Sequence, residues 1–592
     1  MCSIVGSFKL QPSATVDLSF FDNAFDLMRH RGPDFEKYKI IDDICTLGHQ
    51  RLAIIDVGKG SNQPMDSLSN HIVFNGEIYN YIELRDILIR NKIIFNTESD
   101  TEVLLKGLAS EGVEFLNKLN GMFAFSYYSS LTKEMLLVRD RFGVKPLHYT
   151  IKKGVLYFSS EIKPLIKIKS NAKENYKIYD SFMQDLATDY DESTFIDGIY
   201  QVPKGHFLSV KDGKYELVKW YHGVDFEFDS TIFSNYNDTV DFVEELLTDA
   251  IDKRLRADVP VCITLSGGLD SSVIYTLIKD NLKRHIQPYT YTHPGSPTDE
   301  FYKVSKLVEK YNDFVCCVSA DTSISVRDLE ESLYFLEFPT WNPSSVAYMD
   351  MYKSIAKGGY KVVIEGHASD EILGGYSYVI RSAVFEYIKS FDFKKAKEVI
   401  NVLNATNNKN IANKITIPRL IGAYIRNMLK GEKYNKSFQS GIDRLFDYKI
   451  LPIVLRTFDR LTMRSSVESR SPFMDYRIVE VMKALPIEYK ISKIGNKAIL
   501  REILKKHGKE VIYKDQAKMG FSANLPEMFN SSDFRTLFKE SLLNSPYERR
   551  YSSIFKQAKK ISNQEVIGWA ESGTLWKAAS LSMINKMYRL NE

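Results

Sequence analysis

The chain is poor in the features that assign a protein by bulk composition. Its five cysteines, Cys2, Cys45, Cys262, Cys316 and Cys317, are odd in number and lack metal-site spacing, so the setting reads as reducing and cytoplasmic. No apolar run approaches the ~18 residues needed to span a bilayer, and no basic segment followed by an apolar core opens the chain. Neither sign of charge prevails: Lys plus Arg number 79 against 75 Asp plus Glu, a formal net charge of +4. No bulk field therefore selects nucleic acid or an anionic membrane, and neither is an expected partner. Internal repeats and sustained low complexity are absent as well. Asn404-Ala405-Thr406 matches a glycosylation sequon, which in a reducing setting is a chance match. Function must then come from local sites, and 592 residues leave room for two to four domains.

The first local site is the start itself, Met1-Cys2-Ser3-Ile4-Val5-Gly6. With Met1 removed, Cys2 carries a thiol and a free α-amine, and an amine of pKa near ~7.7–8.0 can take the thiol's proton at neutral pH. From there to about residue 220 the pattern is α+β and sheet-dominated. Strand-like runs fall at His71–Asn75, Gly121–Tyr128, Glu134–Arg139 and Gly154–Ser159, and helical ones at Ile82–Ile89 and Asp100–Ala109. Near Asp238 the period changes to 3.6, with Val240, Val243, Leu247, Ile251 and Arg254 on one face and Asp238 as N-cap. Strands at Val259–Leu265, Gln287–Thr292, Phe314–Val318 and Tyr360–Ile364 then alternate with helices such as Asp299–Tyr311 and Ser344–Ala356. That alternation implies a parallel, doubly wound sheet. Beyond Gly375 the pattern is almost wholly helical, interrupted by a polar loop at Asn404–Lys409.

Leu265-Ser266-Gly267-Gly268-Leu269-Asp270-Ser271-Ser272 lies between the strand at Val259–Leu265 and the helix Ser271–Ile278, where parallel sheets bind phosphate. Glycines let backbone approach the anion, and Ser266, Ser271 and Ser272 offer hydroxyl donors at a helix start. Asp270 would repel phosphate unless a cation lies between them, which implies Mg²⁺. The missing Walker lysine argues against a kinase or GTPase. The segment resembles the pyrophosphate loop of enzymes that cleave ATP between its α and β phosphates to make an adenylate.

Together with the Cys2 start, this loop makes the chain similar to the glutamine-hydrolysing asparagine synthetases and their amidotransferase relatives. The match continues through His30–Asp34, Arg51–Asp56, Asn75–Asn80, Ser99–Glu102, Arg139-Asp140, Gly143 and Lys145–Leu147. In the second half it includes Ser369–Glu371, Gly374–Tyr376, Asp459-Arg460, Glu468–Asp475, Lys497 and Leu500–Glu502. The resemblance implies an N-terminal-nucleophile glutaminase domain over 1–220, an αββα sandwich, and an ATP-pyrophosphatase-type α/β synthetase domain over 221–592 with a helical C-terminal part. By the same resemblance Cys2 attacks the amide of glutamine, and the Asn75 amide with the Gly76 N–H forms the oxyanion hole. Arg51, Ile54, Ile55, Asn75, Gly76, Glu77 and Asp100 hold glutamine: Arg51 takes its α-carboxylate, Glu77 and Asp100 its α-ammonium. ATP and pyrophosphate rest on Leu265, Ser266, Gly267, Gly268, Asp270, Ser271 and Ser272 with Glu365 and Gly366. Mg²⁺ is held by Asp270 and Asp370, and Lys497 steadies charge at the reacting carbonyl and α-phosphate.

The chain also departs from that family. Ordinary members read Ser-Gly-Glu-Gly where this one has Glu365-Gly366-His367-Ala368, so His367 stands in place of a glutamate implicated in catalysis, a position that is tyrosine in the related β-lactam synthetases. A neutral imidazole near pKa ~6.5 could act there as base. Phe338–Ala347 is uncharged where relatives carry charge near the acceptor, and Trp341 could stack a sugar or larger acid. The implied reaction is ATP- and glutamine-dependent conversion of aspartate to asparagine through an acyl-adenylate. The alternative is the same chemistry on another carboxylate, such as a uronic acid of a surface polysaccharide or a secondary-metabolite acid. A phosphoribosyl-transferring amidotransferase would lack Ser266–Ser272, and a non-catalytic protein on this fold would be expected to lose Cys2, Asp270 or Lys497. A homodimer is compatible with the chain, which does not specify its assembly.

Overall fold

A computed structural model describes residues 2–292, 294–295, 299–319, 324–406, 415–416, 418–420, 422, 437–516, 525–588 and 590. The first half contributes twelve strands: β1 (Ser3–Lys9), β2 (Phe35–Ile41), β3 (Cys45–Arg51), β4 (Met65–Ser67), β5 (Asn70–Ile78), β6 (Gly121–Ser129), β7 (Glu134–Arg139), β8 (His148–Lys152), β9 (Val155–Ser159), β10 (Ile199–Gln201), β11 (His206–Lys211) and β12 (Lys214–Lys219). They form two six-stranded sheets of order β10-β8-β9-β1-β3-β2 and β12-β11-β7-β6-β5-β4. Strand alternation decides which residue faces which layer. Ile4, Phe8, Leu47 and Phe158 of one sheet meet Val73, Ala124, Tyr128 and Leu137 of the other in a shared core. The opposite faces are also apolar and are covered by helices: Val5, Val155 and Tyr157 pack under the helix Ser19–Met28. Phe74, Ile78 and Phe123 pack under Tyr81–Arg90 and Asp100–Glu111. The result is the expected αββα sandwich.

The second half opens with the helix Tyr236–Arg254, capped by Asn235, whose Oδ1 accepts from the backbone of Asn237 and Asp238. Asp238 is thus inside the first turn and not the cap. Next come β13 (Val261–Thr264), β14 (Gln287–Thr292), β15 (Cys316–Ser319), β16 (Val362–Ile364) and β17 (Glu468–Arg470). All pair in parallel, in the order β15-β14-β13-β16-β17. The chain moves outward from β13 to β15 and then crosses back to β16, so the strand order reverses between β13 and β16. In a doubly wound sheet the crevice at that switch, beyond the carboxyl ends of the strands, is where ligands bind.

One expectation for the C-terminal region holds and one changes. It is helical almost throughout, as expected, with β17 as a three-residue strand that completes the parallel sheet. Residues 404–406 end the helix Phe393–Thr406 and are not loop, while 407–409 lie outside the described residues. Helices spanning 525–588 share a core with the first half, where Phe538, Leu575 and Ile584 meet Ile178, Phe182 and Phe195.

Candidate active sites

The first site is built on β1, β3 and β5. Cys2 precedes β1 and is buried; its backbone N–H donates to Asn75 Oδ1 at 3.2 Å, and its Sγ lies 3.9 Å from the Leu52 carbonyl. Burial pushes the thiol up from its ordinary range. Asn75 is fully buried on β5, and its Nδ2 has no hydrogen-bond partner among the described residues. A buried donor left unmade is costly, and so is rarely kept without a ligand to receive it. Gly76, next on the strand, allows β5 to lie close to β6, because a Cβ there would sit 2.1 Å from the Met122 carbonyl oxygen.

Around this pair the expected glutamine ligands converge. Arg51 spends its guanidinium on neutral oxygens, with Nη1 donating to Gly58 O at 2.7 Å and Asn62 Oδ1 at 2.8 Å. No carboxylate lies within ion-pair distance of it among the described residues. Glu77 places Oε1 3.2 Å from Arg470 and leaves Oε2 without a hydrogen bond among the described residues. Burial, with Glu468 nearby, pushes its carboxyl well up. Asp100 accepts from the Ile78 N–H at 3.0 Å, and burial lifts its carboxyl to about 6. Ile54 and Ile55 turn their side chains into an apolar cluster with Leu52, Val362 and Met463, bridging to the parallel sheet.

The second site is a cavity of about 360 Å³ at the β13/β16 switch. The turn after β13 has Gly267 at φ 75°, a left-handed conformation that favours glycine. The helix Leu269–Asp280 follows, so Asp270 belongs to its first turn. Leu265, Ser266, Gly268, Asp270 and Ser271 line the cavity. Ser272 is buried behind the wall, its hydroxyl without a partner among the described residues. From the turn after β16 come Glu365, Gly366 and His367, and from the short helix Ser369–Leu373 comes Asp370.

Lys497, in a left-handed conformation at the start of the helix Ala498–Lys506, ties these together. Its Nζ donates to Asp270 at 2.7 and 2.8 Å and to Ser369 Oγ at 2.8 Å, and it pairs with Asp370 at 2.8 Å. Burial works against the ammonium, but the two carboxylates outweigh it and hold its pKa above the ordinary value. One cation thus already bridges Asp270 and Asp370. A magnesium ion that takes two carboxylates and completes its shell with phosphate oxygens and water fits that donor pair. The described residues hold no cluster of three or more His, Cys, Asp or Glu side chains suited to a metal.

His367 stacks on Phe458, ring centroids 4.4 Å apart at 14°, with Nδ1 unbonded among the described residues and 4.0 Å from Glu365 Oε2. Burial, assisted by Lys145, takes its pKa down to about 3. Burial thus moves the ring away from the ordinary value near ~6.5 and favours its neutral form. Glu365 accepts from Tyr352 Oη at 2.9 Å, Thr264 Oγ1 at 3.3 Å and Ser469 Oγ at 2.5 Å, and burial lifts its carboxyl to about 7. Trp341 is not on the cavity wall. Its neighbour Phe338 packs on Tyr179, Phe182 and Phe195 of the first half, which orients that stretch away from the site. The wall is made instead by Tyr348, Met351 and Tyr352 of the helix Ser345–Lys357, spaced i, i+3, i+4, together with Phe458. That spacing was available in the sequence; its direction was not.

Between the sites runs a buried ionic seam that sequence reasoning did not assign. Arg31 donates to the Cys2 carbonyl, to Glu161 and, bidentately at 2.9 and 3.1 Å, to Asp459. Arg460 continues it to Glu337 at 2.8 Å. No helix among the described residues is long and apolar enough to cross a membrane.

Comparison with known proteins agrees with this geometry. Residues 1–221 match the glutamine amidotransferase domain and residues 242–566 match asparagine synthase. The chain is 29% identical to asparagine synthetase [glutamine-hydrolyzing] 3 of Bacillus subtilis over 85% of its own length and 84% of that protein. It is 30% identical to asparagine synthetase B [glutamine-hydrolyzing] of Escherichia coli over 64% of this chain and 65% of that one. It is also 25% identical to amidase chyE of Penicillium rubens over 84% of both chains.

Proposed function

The chain belongs to the asparagine synthase family, and on that premise we propose that it is a glutamine-hydrolysing amidotransferase that activates a carboxylate with ATP. Residues 1–220 supply ammonia and residues 221–592 consume it. Once Met1 is removed, the Cys2 amine takes the thiol proton, the thiolate attacks the glutamine amide, and Asn75 Nδ2 with the Gly76 N–H receives the oxyanion. Arg51 takes the α-carboxylate, and Glu77 and Asp100 the α-ammonium.

The observation that carries the second half is the convergence of Asp270, Asp370 and Lys497 beside the Gly267 turn. Asp270 and Asp370 would hold Mg²⁺, which when bound neutralises phosphate charge. The turn and Ser266 and Ser271 cradle phosphate, and Lys497 steadies the developing charge at the acyl carbon and α-phosphate. An acyl-adenylate forms with loss of pyrophosphate, and ammonia displaces AMP to leave the amide.

Aspartate is the leading acceptor because relatives named asparagine synthetase align over most of the chain. A non-aspartate acid, such as a uronic acid or a secondary-metabolite acid, is favoured by one observation. Among the described residues, the part of the cavity wall made by Tyr348, Met351, Tyr352 and Phe458 is uncharged, the lining cations Lys303, Lys497 and Arg501 coming from other elements. The test is glutamine-dependent pyrophosphate release with aspartate, D-glucuronate and D-galacturonate in turn. Release with aspartate alone fixes the first reading; ADP as the nucleotide product rules out both.

A further inference from the structure

Glu365 has no role in holding ATP that its side chain explains. It is a buried carboxylate on the cavity wall, bonded only to the hydroxyls of Tyr352, Thr264 and Ser469, with no Lys or Arg in ion-pair distance among the described residues. Such a group repels phosphate. It is nevertheless close to the phosphate loop, because Gly366 packs so tightly on it that a Cβ would fall 2.9 Å from the Ser271 nitrogen and 3.0 Å from the Asp270 Cβ.

Its position relative to the glutaminase is also defined. Ser469 lies on β17 between Glu468 and Arg470, and alternation sends its neighbours to the other side. Arg470 pairs with Glu77 at 3.2 Å in the glutamine site, while Ser469 bonds Glu365 in the ATP site. The three-residue strand is the partition between the sites, and Glu365 is the carboxylate mounted on its synthetase side.

The chemistry at that point needs a base. When the nitrogen lone pair of ammonia forms the C–N bond to the acyl carbon, the C=O π pair moves to oxygen and the nitrogen becomes cationic. It must lose a proton before the carbonyl re-forms and the C–O bond to AMP breaks with its electron pair. His367 is stacked on Phe458, and burial lowers the proton affinity of its ring; Lys497 is a cation between two carboxylates. We propose that Glu365 is the catalytic residue that accepts this proton as ammonia enters from the β17 side. Tyr352, Thr264 and Ser469 hold the carboxylate in place. Burial sets its pKa at about 7, so the base form is populated at neutral pH while its proton affinity stays useful.

The proposal rests on the amidation reading, and the experiment separates the two. The full chain and its Glu365→Gln, Glu365→Asp and His367→Ala variants are assayed with ammonium chloride and each of the three acids above. The readouts are ATP–pyrophosphate exchange, AMP release, amide formation and glutamine hydrolysis. Glu365→Gln should keep exchange and glutamine hydrolysis within about threefold and lose amide formation by about 100-fold or more, its adenylate decaying to acid and AMP. Glu365→Asp should recover part of the rate. The acidic limb of amide formation should vanish in Glu365→Gln and persist in His367→Ala. Near-parental amide synthesis in Glu365→Gln, a raised KM for the acid at unchanged kcat, or an equal loss of exchange overturns the assignment. A parent enzyme that exchanges pyrophosphate with none of the acids, though it hydrolyses glutamine, refutes the amidation reading with the acids tested and the proposal with it.

Discussion

Replacing Asn75 by alanine separates a catalytic donor from a structural one. In the resting protein Asn75 Oδ1 accepts from the Cys2 N–H at 3.2 Å, while Nδ2 is buried and unbonded among the described residues. Deleting the amide loses one hydrogen bond, worth ~0.5–1.5 kcal/mol, and leaves a small void of comparable cost. It also removes an unmade buried donor that costs ~1–3 kcal/mol. These contributions oppose each other and are similar in size, so the melting temperature should stay within about 2 °C of the parent. The transition state has no such cancellation. Loss of one oxyanion donor costs roughly 2.7–4 kcal/mol, a fall of about 10²–10³ in kcat for glutamine hydrolysis. Glutamate release measures it, with ammonia-dependent pyrophosphate release as the internal control, expected unchanged. A loss below about tenfold in a folded variant, or a large drop in melting temperature alongside the loss, would refute the assignment.

Cys2→Ala should abolish glutamine-dependent amide formation and leave the ammonia-dependent reaction within about twofold; loss of both in a folded protein would sink the division of labour. Asp270→Asn should lower ATP–pyrophosphate exchange by about 100-fold and raise the magnesium concentration for half-maximal rate, since one of two carboxylates for the ion is gone; an unchanged magnesium titration counts against Asp270 as ligand. Because burial takes His367 to about 3, the ring stays neutral from pH 5 to 9. The sign follows: the unfolded histidine protonates below ~6.5 while the folded ring does so only near 3, so the cost it adds to folding grows as pH falls from about 6.5 to about 3, and His367→Ala should lessen the loss of stability over that window and leave the pH–rate midpoint near neutrality where it was. Movement of that midpoint would restore the imidazole as the titrating base.

The sandwich and the parallel sheet were legible because strand alternation, helical period and the Gly267-Gly268 turn are local signals. Cys2, Asn75, Gly76, Glu77 and Asp100 were legible as a set and converge in space. What stayed hidden depended on distant partners. β17 reads Glu-Ser-Arg and carries no apolar signature; its burial depends on Arg470 pairing with both Glu468 and Glu77. Sequence could not show that a strand lay there. The cap moved from Asp238 to Asn235 because Tyr236 finds Tyr489, stacked at 4.9 Å and 13°, and draws the helix start back. Trp341 looked outward to a ligand only while its neighbour's contacts with Tyr179 and Phe195 were unknown. Glu365 offered no sign of its role, because its donors come from residues 264, 352 and 469.

The hidden part is also what makes one chain of two chemistries. A buried ion pair is expensive, and its desolvation often cancels the Coulomb gain. Arg470 nonetheless satisfies Glu468 at 2.6 Å, Glu77, and the backbone carbonyls of Arg254 and Arg256 at 2.9 and 2.7 Å. An apolar strand would close the sheet equally well, but it could not pair with the buried Glu77 carboxylate. Nor could a one-residue slip be tolerated, since it would turn Ser469 toward Glu77 and a charged side chain toward Glu365. The charges at β17 therefore fix register: the same three residues that end the parallel sheet pair with Glu77 on one side and hydrogen-bond Glu365 on the other.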